Sequence, residues 1–296
     1  MSVSVLWEDH AMATNTVRRR RLGIALREHR RAARVSMEDA AAVISVHKTT
    51  ISRMERGQAA TKPLFVQALL AHYSVDATES AVLVELAKEA SKPGWWRSYV
   101  GVVDERHLDH IALESEASRI STWEPVLIPA LLQTEDYARA VLQRAGVESL
   151  THTQIEKRVQ ARAERKARLL SDNPPALAAI FDEGALRRPV GGRDVMCGQL
   201  EHLLELAQMP NIGVQLIPTS AGAHAGVTGS VTLLEYESDE DPPVAFLETV
   251  GGDLYLDEPG ELKVCRAVFD ALRSDALSAS ETEQRIAQLA AESELG

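Results

Sequence analysis

Cysteines, long apolar runs and aromatic side chains are all scarce in this sequence. Cys197 and Cys265 are the only cysteines among 296 residues, and no close-spaced motif joins them. This is typical of buried thiols in a cytosolic protein and argues against a disulfide scaffold. No apolar run approaches the ~20 residues that a membrane-spanning helix needs, and the N-terminal residues lack the order of a secretory signal. We therefore expect a cytoplasmic protein with no membrane partner.

Basic residues are few overall but concentrated near one end. The formal net charge of −11 argues, taken alone, against a nucleic-acid partner. Residues 1–75, however, contain twelve Lys and Arg against six Asp and Glu, whereas the remaining 221 residues contain 20 against 37. A basic head on an acidic body is typical of a protein whose head meets phosphates. An unevenly charged solvated surface would give the same counts, so charge alone leaves both interpretations open.

The basic head is predicted to form five short helices. Apolar residues recur at helical spacing along each segment. Ser36 followed by Asp39 is an N-terminal capping signal for the second helix, and Gly57 ends the third. Two short helices joined by a tight turn, the second with a polar outer face, form the helix-turn-helix pattern. The predicted helices are Val17–Ala33, Met37–Val43, His47–Arg56, Lys62–Tyr73 and a helix that begins near Asp76 or Thr78 and ends at Ala90.

The outer face of the third helix supplies the predicted DNA contacts. The first residues of a recognition helix point into the major groove, so we expect Lys48 and Thr49 to read bases, with Arg53 reaching a base or a phosphate. Ile51 and Met54 face inward. Phosphate contacts fix the register of a protein on DNA without reading sequence. The other predicted DNA-binding residues, most of them suited to phosphates, are His47, Thr50, Ser52, Arg56 and Lys62.

The segment ALREHRRAARVSMEDAAAVISVHKTTISRMERG resembles the xenobiotic-response-element (XRE) family of helix-turn-helix regulators, which are similar to lambda-type phage repressors. The resemblance spans about residues 18–75, and KTTISRMERG is its most specific part. It implies DNA binding and a buried structural ion pair between Arg30 and Glu55. Met37 departs from the usual Gln, and Ser45 from the frequent turn Gly. The basic run Arg18–Arg21 is either a DNA-binding arm or a solvated helix start.

The acidic body is predicted to begin with helices and to continue with a mainly antiparallel sheet and further helices. Lys92–Gly94 breaks the chain, so we expect a flexible N-terminus at 1–16, a DNA-binding domain at 17–91 and a regulatory domain at 92–296. The fold class is therefore mainly α with an α+β C-terminal part: a five-helix lambda-repressor-like domain plus a helical and antiparallel-sheet domain. The predicted helices of the body are Glu105–Ser121, Glu135–Arg144, a helix capped by Thr151 and Gln154 that ends at Leu170, Arg193–Gln208, Glu261–Arg273 and a last helix capped by Ser280 and Glu283. The predicted strands are Val126–Ile128, Ala176–Phe181, Gly213–Pro218, Ser230–Tyr236, Val244–Val250 and Asp253–Leu256, the last two joined by a turn at Gly251 and Gly252.

A second resemblance covers about residues 95–292. WEPVLIPALLQTEDYARAVL, FDEGALRRPVGG and FLETVGGDLYLDEP are, in this order, similar to the C-terminal domain of unknown function of actinomycete regulators of the WhiJ type, although Ala130 replaces a usual Gly. The resemblance implies a regulator of development, secondary metabolism or a toxin–antitoxin-like pair. It also implies a gene for a small acidic companion protein in the neighbourhood.

Aromatic density marks the candidate ligand or partner pocket of the body. Five of the thirteen aromatic residues lie between positions 95 and 137, and they either line an apolar pocket for a small molecule or pack helices together. The loop 219–230, with three glycines and a histidine, is either a lid or partner contact or a plain connection. The candidate pocket residues are Trp95, Trp96, Tyr99, Trp123, Tyr137 and His224.

Catalytic and metal-binding constellations are not evident in the sequence. His107 and His110 share a helix face, but spacing fixes no third ligand, and no Gly-x-Ser-x-Gly elbow occurs. We therefore expect no enzyme, no cofactor and no metal. The leading hypothesis is a nucleoid-associated, homodimeric transcriptional regulator or repressor that binds double-stranded DNA. Its body would sense a small ligand or a companion protein. The alternative is an antitoxin-like interaction protein of a two-gene pair that autoregulates by DNA binding.

Overall fold

The structure, a computed structural model, describes residues 16–92, 94–144, 150–238, 241–249 and 253–295. The chain forms two compact units. The head unit contains the described residues up to Ser98, together with the segments His107–Glu116 and Ser238–Pro242. The body unit contains Tyr99–Arg106, Ala117–Glu237 and Pro243–Gly296. Within the described residues, no helix combines the length and apolar character needed to cross a membrane.

Capping side chains fix the start of most helices in the N-terminal part of the head unit. Thr16, Ser36, His47 and Asp76 each accept a hydrogen bond from a backbone N–H of the first turn, which satisfies donors that the helix itself leaves free. Pro63 opens the fourth helix, where no N–H is needed. All five helices lie within two residues of their predicted bounds. They are α1 (Val17–Ala32), α2 (Met37–Val43), α3 (Lys48–Glu55), α4 (Pro63–His72) and α5 (Ala77–Ala90).

Tight turns bring these helices around one core. Three turns use a residue with a side chain in the left-handed region: Arg34 at φ 57°, Ser45 at φ 55° and Ser74 at φ 59°. Ser45 therefore takes the conformation that a glycine would adopt more easily in the turn between α2 and α3. Phe65 is half-buried against this core, and its neighbour Val66 is fully buried in it. The buried core is formed by Leu22, Leu26, Ala40, Ala41, Ile44, Ile51, Met54, Val66, Leu69, Leu70, Tyr73, Leu83 and Ala87.

A six-stranded mixed sheet forms the centre of the body unit. Its order is β3-β2-β1-β4-β5-β6. The pairings of β2 with β1 and β3 are parallel, and the three pairings that link β1, β4, β5 and β6 are antiparallel. The strands are β1 (Arg119–Glu124), β2 (Ala176–Asp182), β3 (Ile212–Ile217), β4 (Val231–Glu235), β5 (Val244–Leu247) and β6 (Leu254–Leu256).

Helices pack on this sheet through apolar stripes. The helix α11 (Pro259–Asp275) is buried against one face of the sheet through Leu262, Cys265, Phe269 and Leu272, because apolar residues recur on one face of this helix. The helix α8 (His152–Ala167) begins with the predicted capping box of Thr151 and Gln154. The remaining helices are α6 (Glu105–Glu116), whose residues divide between the two units, α7 (Glu135–Arg144), α8 (His152–Ala167), α9 (Gly184–Arg187), α10 (Arg193–Ala207), α11 (Pro259–Asp275) and α12 (Ala279–Leu295).

The structure corrects the sequence prediction around residue 120. The helix predicted to Ser121 ends at Glu116, and the strand predicted at Val126–Ile128 is instead β1 at Arg119–Glu124. The segment RISTWE was not predicted as a strand because it contains two polar residues, Ser121 and Thr122, and both are buried in the sheet. Thr122 is satisfied there by a hydrogen bond with the hydroxyl of Thr232, at 3.0 Å. The mainly α fold with an α+β C-terminal part is confirmed. Its sheet is mixed rather than purely antiparallel, because β2 pairs in parallel with β1 and β3.

The last helix begins earlier than its predicted cap. Ser278 accepts the backbone N–H of Glu281, and the Glu281 carboxylate accepts the backbone N–H of Ser278. This reciprocal cap replaces the predicted pair of Ser280 and Glu283. The predicted turn at Gly251 and Gly252 and the last strand residue, Val250, lie outside the described residues.

Candidate nucleic-acid interface

The helix α3 presents two chemically distinct faces. Ile51 and Met54 point into the core of the head unit and are almost fully buried. Lys48, Thr49 and Arg53 lie on the opposite face and are exposed. The other predicted contacts surround them: His47, Arg56 and Lys62 are exposed, and Thr50 and Ser52 are half-buried. The structure therefore brings the predicted recognition-helix residues together on one polar surface, which we call the α3 surface.

The side chain of His47 has a structural task in addition to its predicted phosphate contact. Its Nδ1 accepts the backbone N–H of Thr49 at 3.4 Å, which makes His47 the N-cap of α3. The hydroxyl of Thr49 also lies 2.9 Å from this nitrogen. Only the other ring nitrogen, Nε2, is left to point at a phosphate. His47 thus shapes the first turn of the helix whose first side chains are expected to enter the groove.

The α3 surface has an acidic neighbour, Glu38, that the sequence analysis did not predict. Glu38 of α2 accepts a hydrogen bond from the Nζ of Lys48 at 3.0 Å. Both side chains are more than half exposed, so this ion pair contributes little to stability and exchanges readily for another partner. The pKa of the Glu38 carboxyl is lowered chiefly by the Lys48 hydrogen bond. The spacing Ser36, Glu38 and Lys48 gives no hint of the pair, because the turn between the helices brings the two residues together.

Two arginines of the α3 surface are available for DNA. Within the described residues, neither Arg53 nor Arg56 forms a side-chain hydrogen bond or an ion pair. Lys62 caps no neighbour with its side chain, and its Nζ lies 5.6 Å from the ring centre of Phe65. An uncommitted guanidinium can donate in a fork to guanine or to a phosphate without first breaking a protein contact.

A buried ion pair holds α3 against α1. Arg30 donates from Nε and Nη2 to the two carboxylate oxygens of Glu55, at 2.6 and 2.9 Å. Its Nη1 donates to the carbonyl of Val35, at 3.0 Å. Both charged side chains are almost fully buried, so the pair acts as a bidentate clamp rather than as a surface contact. The pair that the family resemblance implied is present, and it points away from the α3 surface.

The basic run Arg18–Arg21 belongs to α1 and is engaged within the head unit. Arg20 is buried and donates from Nη1 to the carbonyl of Pro242, at 3.2 Å. Arg19 donates from Nε to the carbonyl of Ala90, at 3.1 Å. Arg18 pairs with Glu116 at 3.4 Å, and Arg21 lies 4.0 Å from Asp241. The sequence left two interpretations open, a DNA-binding arm and a solvated helix start. The structure favours neither, because these side chains make contacts within the head unit.

The candidate pocket residues divide between the two units. Trp95 and Trp96 lie in the head unit, where their rings meet edge to face at 6.2 Å and Trp96 is buried. Tyr99 lies in the body unit and donates its hydroxyl to Glu164 at 2.6 Å. The two tryptophans pack against each other within one 3-10 turn, Trp95–Tyr99.

The remaining aromatic candidates are fully buried in the body unit. Trp123 donates its indole N–H to the carbonyl of Gly226 at 2.9 Å, and its ring meets His224 edge to face at 5.1 Å. Tyr137 accepts the backbone N–H of Ile128 at 3.3 Å through its hydroxyl. Neither Trp123 nor Tyr137 exposes any surface, so their packing supports a structural role. The loop 219–230 is fastened to the sheet by Trp123.

Metal-ligand geometry is not found in the part of the chain that the structure describes. No cluster of three or more His, Cys, Asp or Glu side chains there is suited to a metal ion. The rings of His107 and His110 lie 5.7 Å apart, and His110 Nε2 is 3.3 Å from the carboxylate of Glu114.

Comparisons with known proteins match two families to successive parts of the chain. A helix-turn-helix domain family matches residues 21–83, which include α3 and the Arg30–Glu55 pair. A family described as a domain of unknown function (DUF5753) matches residues 108–288. No curated protein matches the chain. The helix-turn-helix match supports a DNA-binding regulator, while the larger match covers more than half of the sequence. The chain therefore belongs to the family defined by the domain of unknown function DUF5753, and it carries a helix-turn-helix domain ahead of that domain.

Proposed function

We propose that the protein is a sequence-specific transcriptional regulator that reads the major groove with the α3 surface. Lys48, Thr49 and Arg53 contact base edges in this proposal. His47, Thr50, Ser52, Arg56 and Lys62 position the helix on the phosphates. The proposal assigns the protein no catalytic activity.

One observation carries this proposal: the two faces of α3. The helix buries Ile51 and Met54 and turns its basic side chains outward. Lys48 is held there only by the exposed Glu38, and Arg53 has no partner among the described residues. The Arg30–Glu55 clamp and the His47 cap fix the orientation of this helix. A fixed helix with exposed donors reads base edges better than a mobile one, because little conformational entropy is lost on binding.

The test is a selection of duplexes from a random library, followed by affinity measurements on the selected site. We expect the intact chain to bind that site at least about a thousandfold more tightly than a scrambled duplex at the same salt concentration. The double variant Lys48→Ala, Thr49→Ala loses this preference, whereas Lys263→Ala, an exposed lysine on α11, keeps it. Equal affinity for selected and scrambled duplexes would refute sequence-specific reading.

We further propose that the body unit makes DNA binding conditional on a signal. The resemblance to actinomycete regulators of the WhiJ type implies such control. The order of a helix-turn-helix domain followed by the DUF5753 domain supports this proposal. The 221 residues after position 75 have a formal charge of −17 and gain nothing beside phosphates, so they serve another purpose. The signal is a small ligand in the principal version, and a small companion protein in the antitoxin-like alternative.

The intact chain is the right material for testing this control. A fragment that ends at residue 92 would lack His107–Glu116 and Ser238–Pro242, which belong to the head unit. Operator affinity is compared with and without a ligand extract, and with and without the product of the adjacent gene. A signal that prefers one state of the protein changes operator affinity by about 5–150-fold. If neither addition changes the affinity, the body has no sensory role.

A further inference from the structure

The first turn of α2 carries two adjacent acids with different surroundings. Asp39 accepts a hydrogen bond from the hydroxyl of Ser36 at 2.7 Å, and its backbone N–H donates to the same hydroxyl at 3.0 Å. It therefore belongs to the cap of α2. Glu38, in contrast, accepts at Oε1 from the Nζ of Lys48, the first residue of α3, at 3.0 Å. Of the two acids, Glu38 is the one that adjoins the α3 surface.

The ion pair leaves both of its side chains with capacity for a second partner. An ammonium has three N–H donors, and Glu38 uses one of those of Lys48. A carboxylate accepts about four hydrogen bonds, and Lys48 is the one side-chain donor to Glu38 among the described residues. Both side chains are more than half exposed. Lys48 can therefore donate to a base while it stays paired, and Glu38 can accept from a base at the same time.

A carboxylate at a DNA-reading surface discriminates strongly between base edges. Phosphates repel it, and so do the carbonyl oxygens of guanine and thymine. In the major groove it accepts hydrogen bonds only from the amino groups of cytosine and adenine. Glu38 lies within one hydrogen bond of the Lys48 ammonium. When Lys48 meets one base of a pair, as in the proposed function, the Glu38 carboxylate is therefore close to the other base.

The spacing and polarity of the ion pair match one base pair best. Guanine presents two acceptors, N7 and O6, and its cytosine presents the N4 amino donor. O6 and N4 are hydrogen-bonded to each other, so they lie about 2.9 Å apart. The Nζ of Lys48 and the Oε1 of Glu38 are 3.0 Å apart and have the opposite polarity. A thymine–adenine pair fits less well, because thymine offers the ammonium one acceptor instead of two. The inverted cytosine–guanine pair fits worst, because O6 would face the carboxylate.

We propose that Glu38 is a specificity-determining residue of the regulator, and that Lys48 and Glu38 read one base pair together. Lys48 donates to the guanine, and Glu38 accepts from the N4 amino group of the paired cytosine. The proposal rests on the proposed function, since it requires the α3 surface to enter the major groove. It adds a residue of α2 to the reading surface, and this residue acts largely by rejecting a carbonyl oxygen at its place.

The test measures the affinity of the intact chain for the selected operator and for each single-base variant of it, at one salt concentration. Lys48→Ala identifies the base pair that Lys48 reads, as the position where the preference is lost. We expect Glu38→Ala to act at the same base pair, where the penalty for inverting the pair falls by about fivefold or more. The penalties at other positions persist. Glu38→Gln lowers the same penalty, because an amide also donates and tolerates a carbonyl oxygen.

A second exposed ion pair of the head unit provides the matched control, Glu85→Ala. Glu85 of α5 accepts from the Nζ of Lys88 at 2.8 Å, and both side chains are more than half exposed, as in the pair of Glu38 with Lys48. Glu85→Ala changes the charge of the head unit by the same amount as Glu38→Ala. A general gain in affinity from the loss of a negative charge therefore appears in both variants. Circular dichroism and thermal melting verify that each variant is folded.

Three results overturn the proposal. Glu38→Ala keeps the parental base preferences, or raises the affinity for all duplexes equally as Glu85→Ala does, or acts only at a base pair that Lys48→Ala leaves unaffected. With a parent that distinguishes the operator from scrambled duplexes, each of these results leaves the proposed function standing. A parent that binds all duplexes alike refutes the proposed function, and this proposal with it.

Discussion

The pair of Arg30 and Glu55 is a bidentate, almost fully buried ion pair of the head unit. Replacing Glu55 with Gln leaves a buried guanidinium without its counter-charge, and we expect this to destabilise the head unit by about 3–5 kcal/mol. The matched control is Lys48→Gln, which breaks the exposed pair with Glu38 and leaves stability nearly unchanged, because exposed ion pairs contribute little. Hydrogen exchange at the amides of α1 and α3 measures both effects. Equal protection in the two variants would show that the buried pair is not a clamp.

A glycine in the loop 219–230 is required by the packing of Trp123. A Cβ atom on Gly226 would lie 2.4 Å from the Trp123 ring, so Gly226→Ala has to displace the loop or the indole. We expect a lower melting temperature of the body unit and a change in tryptophan fluorescence. Gly198→Ala is the control, since nothing lies within 4 Å of a Cβ there and Gly198 is inside α10. That substitution is expected to stabilise the protein by about 0.5–1 kcal/mol. If both variants melt alike, the loop is not fastened by Trp123.

Single residues show how far sequence analysis reached and where it stopped. The exposed positions of α3 and the cap at Ser36 follow from local spacing, which the structure retains. The ion pair of Glu38 with Lys48 and the repulsion between Glu124 and Glu248 depend on contacts between separate elements. No local sequence pattern predicts such contacts.

Among the elements, β1 explains the largest error of the sequence analysis. A central strand is expected to be apolar on both faces, yet Ser121 and Thr122 of β1 are buried. A hydrogen bond to Thr232 of the neighbouring strand β4 satisfies the Thr122 hydroxyl. The helices were easier to predict, because caps such as Thr151 with Gln154 act within a few residues. The parallel pairing of β1 with β2 links residues far apart in the sequence, so local patterns could not predict it.

The carboxyl group of Glu124, the last residue of β1, should make stability depend on pH. Burial raises the pKa of Glu124 to about 8 in the folded protein, so the unfolded chain loses this proton at lower pH than the folded one. Stability therefore falls as the pH rises from the ordinary glutamate pKa towards about 8. Glu248 and Tyr137 interact electrostatically with Glu124, and both remain in the variant Glu124→Gln.

Denaturation of the parent and of Glu124→Gln at a series of pH values measures this effect. We expect the variant to be the more stable protein, with a difference that widens from about pH 5 to pH 8 and then stays constant. Glu201→Gln, which replaces an exposed glutamate on α10, serves as the control. A difference that is independent of pH, or that narrows towards pH 8, would contradict the raised pKa of Glu124.

At the scale of the whole molecule, the expected homodimer remains a prediction. One recognition helix reads only a few base pairs, so we expect two chains on half-sites about 34 Å apart. From the sequence, either the acidic body or an apolar face of α5 formed by Val82, Leu83 and Leu86 is expected to hold the pair. In the structure, Leu83 is buried in the core and Leu86 is half-buried, so Val82 is the exposed member of this face. Sedimentation of the free and the DNA-bound protein tests this, and a single chain on the operator would rule the dimer out.

The central claim is that α3 reads bases, and the substitution Arg53→Ala tests it most directly. Affinity is measured for the selected operator and for every single-base variant of it, at one salt concentration, with Arg273→Ala on α11 as the control. We predict that Arg53→Ala weakens operator binding by about 1–3 kcal/mol and removes the preference at one base position, while the preferences elsewhere persist. If Arg53→Ala binds the operator and its variants as the parent does, or weakens them all equally, α3 does not read bases through Arg53.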